Sequence, residues 1–280
     1  MKISKKLFAA GVVAALTLSV AASVFASGLT VKTKKINEGQ VKIATPIITG
    51  SAGGAEMDSQ LTQMATRNTF LTVYDLSLNQ GKLMDMSNYD KLMKEINNPI
   101  EEGFAMVKVA ATAADYEYTQ AQKELGKDKA AEKYNINVNY TVYTAGEKLL
   151  SMEQYASSYT GGAHDNEFVK TMTVNAKTGE IYSLGDMFTS GSGYKERLEM
   201  LIAIQQKGDK RLLETMGHQV FDTKKVVING DEKFYLNSDL HDWGIYVVYN
   251  PGEVAPMAAG IQKFYIPIDT ISDIINYDLQ

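Results

Sequence analysis

Three histidines occur in this 280-residue sequence, and one of them closes the run Tyr159-Thr160-Gly161-Gly162-Ala163-His164 just before Asp165. An imidazole behind two glycines is suited to general-base or metal chemistry, because glycine lets the backbone approach a substrate closely. The same residues equally describe a bend between two strands. The bend is the better reading, because no helper set accompanies His164. A Gly-x-Ser-x-Gly nucleophile elbow is absent. Ser157 and Ser158 lie close by, but neighbouring strand positions rarely build a triad.

His164, His218 and His241 could converge on a metal beside Asp165 or Asp242, yet none shows short-range ligand spacing and the chain has no cysteine. Asn237-Ser238-Asp239 is too short for a calcium loop. No metal or cofactor is expected. Paired carboxylates are a further possibility for a glycan hydrolase, with Asp165, Glu167, Glu180 and Asp186 close in sequence. Trp243 is the single tryptophan, whereas sugar clefts often use several aromatic platforms. The sixteen tyrosines suit both strands and binding surfaces. A second irregular stretch, "NPGEVAPMAAG" at 250–260, carries Pro251, Glu253, Pro256 and Met257 between two strand-like runs. A loop of that kind is either a plain connection or a binding edge shown by a rigid sheet.

The elements that must position these loops are legible from periodicity. Met57, Leu61, Met64 and Ala65 keep helical spacing, as do Met86, Tyr89, Leu92, Met93 and Ile96, while 70–78 fits strand or helix. Ile100, Phe104, Val107, Ala111, Ala114, Tyr118, Ala121 and Leu125 form one apolar stripe, so a long helix is predicted from Pro99 to the Gly126 stop. A single strand is expected at 40–48. From Tyr134 the period switches to two, and strands are expected at 134–142, 149–159 and 168–174. A hairpin-type loop at 175–179 follows, leading to Ile181 and Tyr182. Next come a helix at 194–206, strands at 226–236, 245–249 and 261–266, and a short closing helix at 269–275. The fold class is α+β, with antiparallel sheets packed against a long helix in two intimately joined subdomains. The boundaries read as a signal at 1–26, a lead-in and helical region at 27–95, a first α+β domain at 96–185 and a second at 186–280.

Lys2, Lys5 and Lys6 precede an uncharged run at 7–26 that ends Val24-Phe25-Ala26, the pattern of an export signal cleaved after Ala26. A retained anchor is the alternative, since the run is long enough to span a bilayer. After cleavage, 25 basic and 33 acidic residues remain, a formal charge of −8. Such a surface disfavours nucleic acid and anionic lipid, and no further membrane span is expected. Without cysteine, core burial must supply the stability outside the cell.

Several short motifs, taken in order, resemble the RsiV-like extracytoplasmic modules over about residues 96–278. They are Tyr159-Thr160-Gly161-Gly162-Ala163-His164, Thr178-Gly179-Glu180-Ile181 and Leu184-Gly185-Asp186-Met187-Phe188, then the late loop with Glu253, Ala255, Pro256, Ala258, Ala259 and Gly260 before Phe264-Tyr265-Ile266-Pro267. In that family such paired domains form the lysozyme-sensing half of membrane-bound anti-sigma factors, or accompany a peptidoglycan deacetylase whose chemistry resides in a separate domain. The resemblance implies an α+β fold and a cell-envelope recognition role, with a lysozyme-like protein or peptidoglycan as partner. With six residues before the apolar run, no cytoplasmic sigma-binding region is expected. The sequence departs from the pattern at Asp165, where the family usually has glycine, and at Gly252 and Met257, where the late loop often carries aromatics. The expected binding residues are Tyr159, Gly161, Gly162, His164, Asp165, Pro251, Glu253, Pro256 and Met257. The expected role is a non-enzymatic binding module, the alternative being a hydrolase that uses His164 or a carboxylate pair.

Overall fold

The computed structural model describes residues 28–77, 99–124, 134–159, 165–217, 220–239 and 243–276, together with the backbone of Ser23–Val24. Strands β1 (Ser23–Val24), β2 (Thr30–Glu38) and β3 (Val41–Thr49) precede helices α1 (Gly54–Leu76) and α2 (Pro99–Glu124). Then come β4 (Asn135–Ala145), β5 (Leu149–Tyr159), β6 (Asn166–Asn175), helix α3 (Tyr194–Thr215), β7 (Lys233–Asn237), β8 (Gly244–Tyr249) and β9 (Gln262–Pro267). The strands build a six-stranded sheet in the order β1-β2-β3-β4-β5-β6 and a three-stranded sheet β7-β8-β9. The fold is α+β, as its periodicity implies. Among the described residues no helix is long and apolar enough to cross a membrane.

The expected stripe of α2 is the buried one: Phe104, Val107, Ala111, Ala114 and Tyr118 are all inside. Its small residues allow close approach to α1, where a Cβ on Gly103 would overlap the Thr66 hydroxyl. The ambiguous run at 70–78 falls largely within α1, which is one continuous helix. Its buried face mixes Leu61, Ala65, Phe70 and Val73 with a row of threonines, Thr62, Thr66, Thr69 and Thr72. The hydroxyls of Thr62, Thr69 and Thr72 bridge helix and sheet, while that of Thr66 bonds the Gln63 carbonyl within the helix. Thr69 meets Thr45 at 3.0 Å, and Gln154 of β5 bonds both Thr72 (2.7 Å) and Thr69 (2.6 Å). The second expected helix, around Met86 to Ile96, lies outside the described residues.

Residues 30–49, expected to hold one strand, hold two. β2 and β3 form a hairpin whose Gly39-Gln40 turn is fixed by Asp115 of α2, which accepts the Gln40 N–H at 2.6 Å. β3 then pairs parallel with β4 (Val41 opposite Ile136), while every other strand pair among the described residues is antiparallel. A parallel pair requires a long crossover, and α1 and α2 both lie within it.

The second unit departs from expectation in two places. The strand predicted at 226–236 is confined to Lys233–Asn237. Before it the chain turns at Gly230 (φ 112°), where Glu232 accepts the N–H groups of Asn229 (2.5 Å) and Gly230 (2.9 Å). The closing helix at 269–275 is a short 3-10 turn, Ile268–Thr270, followed by turns. Ile271, Ile274 and Ile275 are buried all the same, and Ile275 bridges to Phe188.

Alternation decides what each face of the second sheet touches. Phe234, Leu236, Ile245, Val247, Phe264 and Ile266 pack with Leu198 and Ile202 of α3. The opposite face carries Tyr235, Tyr246, Val248, Lys263 and Tyr265 toward the first sheet, where Tyr143, Tyr155 and Val169 join them. Four tyrosines stack in a ladder across this seam. Tyr143 lies 3.9 Å from Tyr235, Tyr235 lies 4.8 Å from Tyr246, and Tyr246 lies 4.9 Å from Tyr265. Lys263 sits over Tyr235 (5.6 Å) and brings its Nζ to 2.7 and 2.5 Å from the two oxygens of buried Glu153. Ser151 Oγ accepts the Leu236 N–H (2.8 Å), and Thr144 donates to the Leu236 carbonyl (2.6 Å).

Two outcomes follow from the seam and from the buried stripe of α2. Lys263→Ala leaves a carboxylate buried without its cation and should lower the unfolding free energy by roughly 2 kcal/mol, measured by urea denaturation, with Glu153→Gln milder. Burial, reinforced by the Glu153 charge, pushes the Tyr143 hydroxyl up to about 12, and burial raises Tyr118 to about 12 as well. Protonated tyrosines held above the unfolded value of about 10 contribute stability that is fully present below pH 10 and lost as pH rises through 12. Tyrosinate absorbance should therefore rise in two phases, the later one coinciding with loss of ellipticity near pH 12.

Candidate functional site

β6 is the last strand of the first sheet, so alternate N–H groups along its outer side need acceptors from elsewhere. The loop at 250–260 supplies one of them. Asn250, buried at the end of β8, accepts the Val169 N–H through its side-chain oxygen at 2.7 Å. The neighbouring Thr171 Oγ1 accepts the N–H of Phe234 at 3.0 Å. The late loop and edge strand β6 are thus hydrogen-bonded to one another.

From this anchor the loop is held at every turn. Glu253 accepts the Asn250 N–H (2.7 Å), and its own N–H donates to the Asn250 carbonyl (3.1 Å). The same carboxylate takes Lys233 Nζ at 2.8 and 3.1 Å. Val254 and Ala255 turn inward, and the Val254 carbonyl receives the Lys224 N–H (2.8 Å). Pro256 then opens a 3-10 turn, Met257–Ala259. Gln262 closes the loop by donating to the carbonyls of Ala259 (2.8 Å) and Gly260 (3.3 Å). Glycine is required at Gly252: its φ is 87°, and a Cβ there would lie 2.8 Å from the Met257 sulfur. What the loop offers outward is Pro256, Ala258 and Met257, the last 64% exposed.

The far end of the loop returns to β6. A Cβ on Gly260 would stand 3.3 Å from the Glu167 carboxylate, whose other oxygen accepts the Tyr155 hydroxyl at 2.8 Å. Burial raises the Tyr155 pKa, and the Glu167 hydrogen bond and the charges of Glu167 and Asp165 raise it further, so this phenol stays protonated as a donor. Tyr159 ends β5 half-buried, opposite Asn135, and Asp165 stands exposed immediately before β6. Of the residues expected from the sequence, Pro251, Glu253, Pro256 and Met257 therefore share one loop that grips β6, while Tyr159 and Asp165 flank the β5–β6 connection at the same end of that strand. Within the loop Glu253 has an internal role, its carboxylate being used by Asn250 and Lys233.

Gly161, Gly162 and His164 lie outside the described residues, as do His218 and His241. Among the described residues, no group of three His, Asp or Glu side chains is arranged to hold a metal ion. Sequence reading offered Glu167 only as one of several carboxylates and Asn250 only as the start of the irregular stretch, and it passed over Tyr155 and Gln262, which complete the site. Alternation places Tyr155 and Glu167 on one face of the β5–β6 hairpin, a usable signal. Nothing in the sequence marks Asn250 as the acceptor for a strand 81 residues away. Asn250→Ala should expose this dependence. It strands a buried N–H and should cost about 1–3 kcal/mol in thermal or urea unfolding, with accelerated proteolysis within 250–260.

Comparison with known proteins divides the chain at this hairpin. Residues 34–167 match the family model of the deacetylase PdaC, and residues 185–269 match that of a protein of unknown function, DUF3298. A search of curated proteins returns no match. Among solved structures, a DUF3298-family member from Bacteroides fragilis aligns over 89% of this chain and 94% of its own, at 20% identity and a TM-score of 0.57, and so shares the fold. A DUF3298-family protein from Pseudomonas aeruginosa aligns over 91% and 97% at 13% identity, with a TM-score of 0.46. The chain is thus similar to a PdaC-type region followed by a DUF3298 region, the two being joined through the β6 edge that the late loop grips.

Proposed function

We propose that this protein is an extracytoplasmic, cell-envelope binding module without catalytic function, recognising a lysozyme-like protein or a cell-wall ligand. The observation that carries the reading is the grip of the 250–260 loop on β6 through Asn250 and Gly260, beside the β5–β6 connection. The 250–260 loop is held by its own hydrogen bonds, so the ordering cost of that recognition element is met during folding rather than on binding. Met257, exposed over a fixed 3-10 turn, is an adaptable apolar contact of the kind that fills a partner's pocket. The similarity to PdaC and DUF3298 supports an envelope address, and it supports the RsiV-like reading of the motifs. The formal charge of −8 after signal removal suits a basic protein partner such as lysozyme.

Retention of the protein on immobilised basic lysozyme and on purified peptidoglycan, at low salt, tests this. One of the two should retain it, and Met257→Asp should weaken retention at least about ten-fold while leaving the melting temperature unchanged. Retention by neither would overturn the proposal. Dye release from labelled cell walls by the wild-type protein would replace it with hydrolysis.

A further inference from the structure

The opposite edge of the first sheet is built differently from the β6 edge. β2 is nine residues long and is paired along its whole inner side with β3. On its outer side it meets only the two residues of β1, with Ser23 opposite Val31 and Val24 opposite Thr30. Among the described residues, no strand pairs with 32–38 from outside. The direction of the free groups follows from the register. A two-residue turn, Gly39-Gln40, makes Glu38 and Val41 a hydrogen-bonded pair, so 36, 34 and 32 also bond inward. Pro46, which has no N–H, stands opposite Thr33, in keeping with a non-bonded pair there. The backbone N–H and C=O groups of Thr33, Lys35 and Asn37 therefore point out of the sheet. They are the continuation of Val31, which β1 already pairs.

The side chains along this edge are basic. Lys32, Lys34 and Lys35 are exposed, in a chain whose overall charge is acidic. Lys34 lies over the Phe104 ring at 5.6 Å, and Glu38, the one acid of the strand, faces Lys108 at 3.7 Å. Edge lysines are a common guard against self-association. They act here against a second copy, because antiparallel pairing of two β2 edges about Lys34 would set lysine against lysine. The same charges favour a strand of opposite sign.

We infer that the outer edge of β2 accepts an extended, acidic peptide segment of a partner protein as an added antiparallel strand, continuing the place that Ser23–Val24 occupies. Backbone bonds to Thr33, Lys35 and Asn37 supply the affinity, and the three lysines supply the preference for acidic residues. Cleavage after Ala26, as the leader sequence suggests, would remove β1 and lengthen the free edge to Thr30. The site lies across the sheet from the 250–260 loop and is independent of the role proposed for that loop.

Fluorescence anisotropy with the purified full chain and a labelled ten-residue peptide alternating Glu and Val provides the test. Binding should saturate and weaken with salt, and N-methylation of the peptide's alternate amides should reduce it at least about ten-fold. Lys32→Glu with Lys34→Glu and Lys35→Glu should reduce it comparably. Lys35→Glu alone, at an exposed position, serves if the triple variant fails to fold. Equal binding of the N-methylated peptide would reduce the effect to bulk charge and overturn the inference. So would indifference to charge reversal, or no binding at millimolar peptide.

Discussion

The fold depends on how two sheets share a seam that is only half apolar. A purely hydrocarbon interface would stick in many registers, whereas the contact between the six- and three-stranded sheets is fixed by directional groups. Tyrosine stacking sets the lateral offset, and the Lys263–Glu153 pair pins β9 to β5. The hydroxyls of Ser151 and Thr144 hold both backbone groups of Leu236. A buried ion pair is weak evidence for net stability, but removing one partner is costly, so its role here is to specify one docking geometry. Because the late loop grows from the second sheet and lands on the first, its shape depends on that geometry. Asn250 meets Val169 only when the seam is in register.

The same logic of satisfying polar groups organises the other face. Thr62, Thr69 and Thr72 of α1 meet Thr45, Gln154 and the backbone of Ile48, while Thr66 donates to the Gln63 carbonyl of its own helix. A polar helix face buried on a sheet is affordable because each hydroxyl finds a partner. The alanine-rich stripe of α2 then closes against α1 with little side chain between them.

These choices explain what could be read from the residues and what could not. The long helix and the hairpins at 135–175 follow from apolar spacing of 3.6 and of 2, and both were legible. α1 was only partly so. Its buried positions at Thr62, Thr66, Thr69 and Thr72 keep helical spacing, but β-branched hydroxyl residues do not register as an apolar stripe. The strand ending at Asn237 was overdrawn, since Val226 and Ile228 are buried by packing on α3 rather than by sheet pairing. At the candidate site, glycine and proline marked the loop correctly. Of its anchors, Glu167 shares a hairpin face with Tyr155 that alternation reveals, whereas Asn250 depends on pairing with a segment far away in the chain, of which local spacing carries no trace.

The parallel pairing of β3 with β4 has a consequence for how the chain assembles. The β4–β5–β6 meander closes through short turns, whereas the β2–β3 hairpin must wait for a crossover that includes both α1 and α2 before Val41 can find Ile136. Loop-closure entropy makes such non-local contacts late ones. In a chain that emerges from its N-terminus, the first hairpin made is thus the last to be docked. In the interval β3 offers an unpaired apolar flank, Val41 and Ile43, to whatever chain lies nearby.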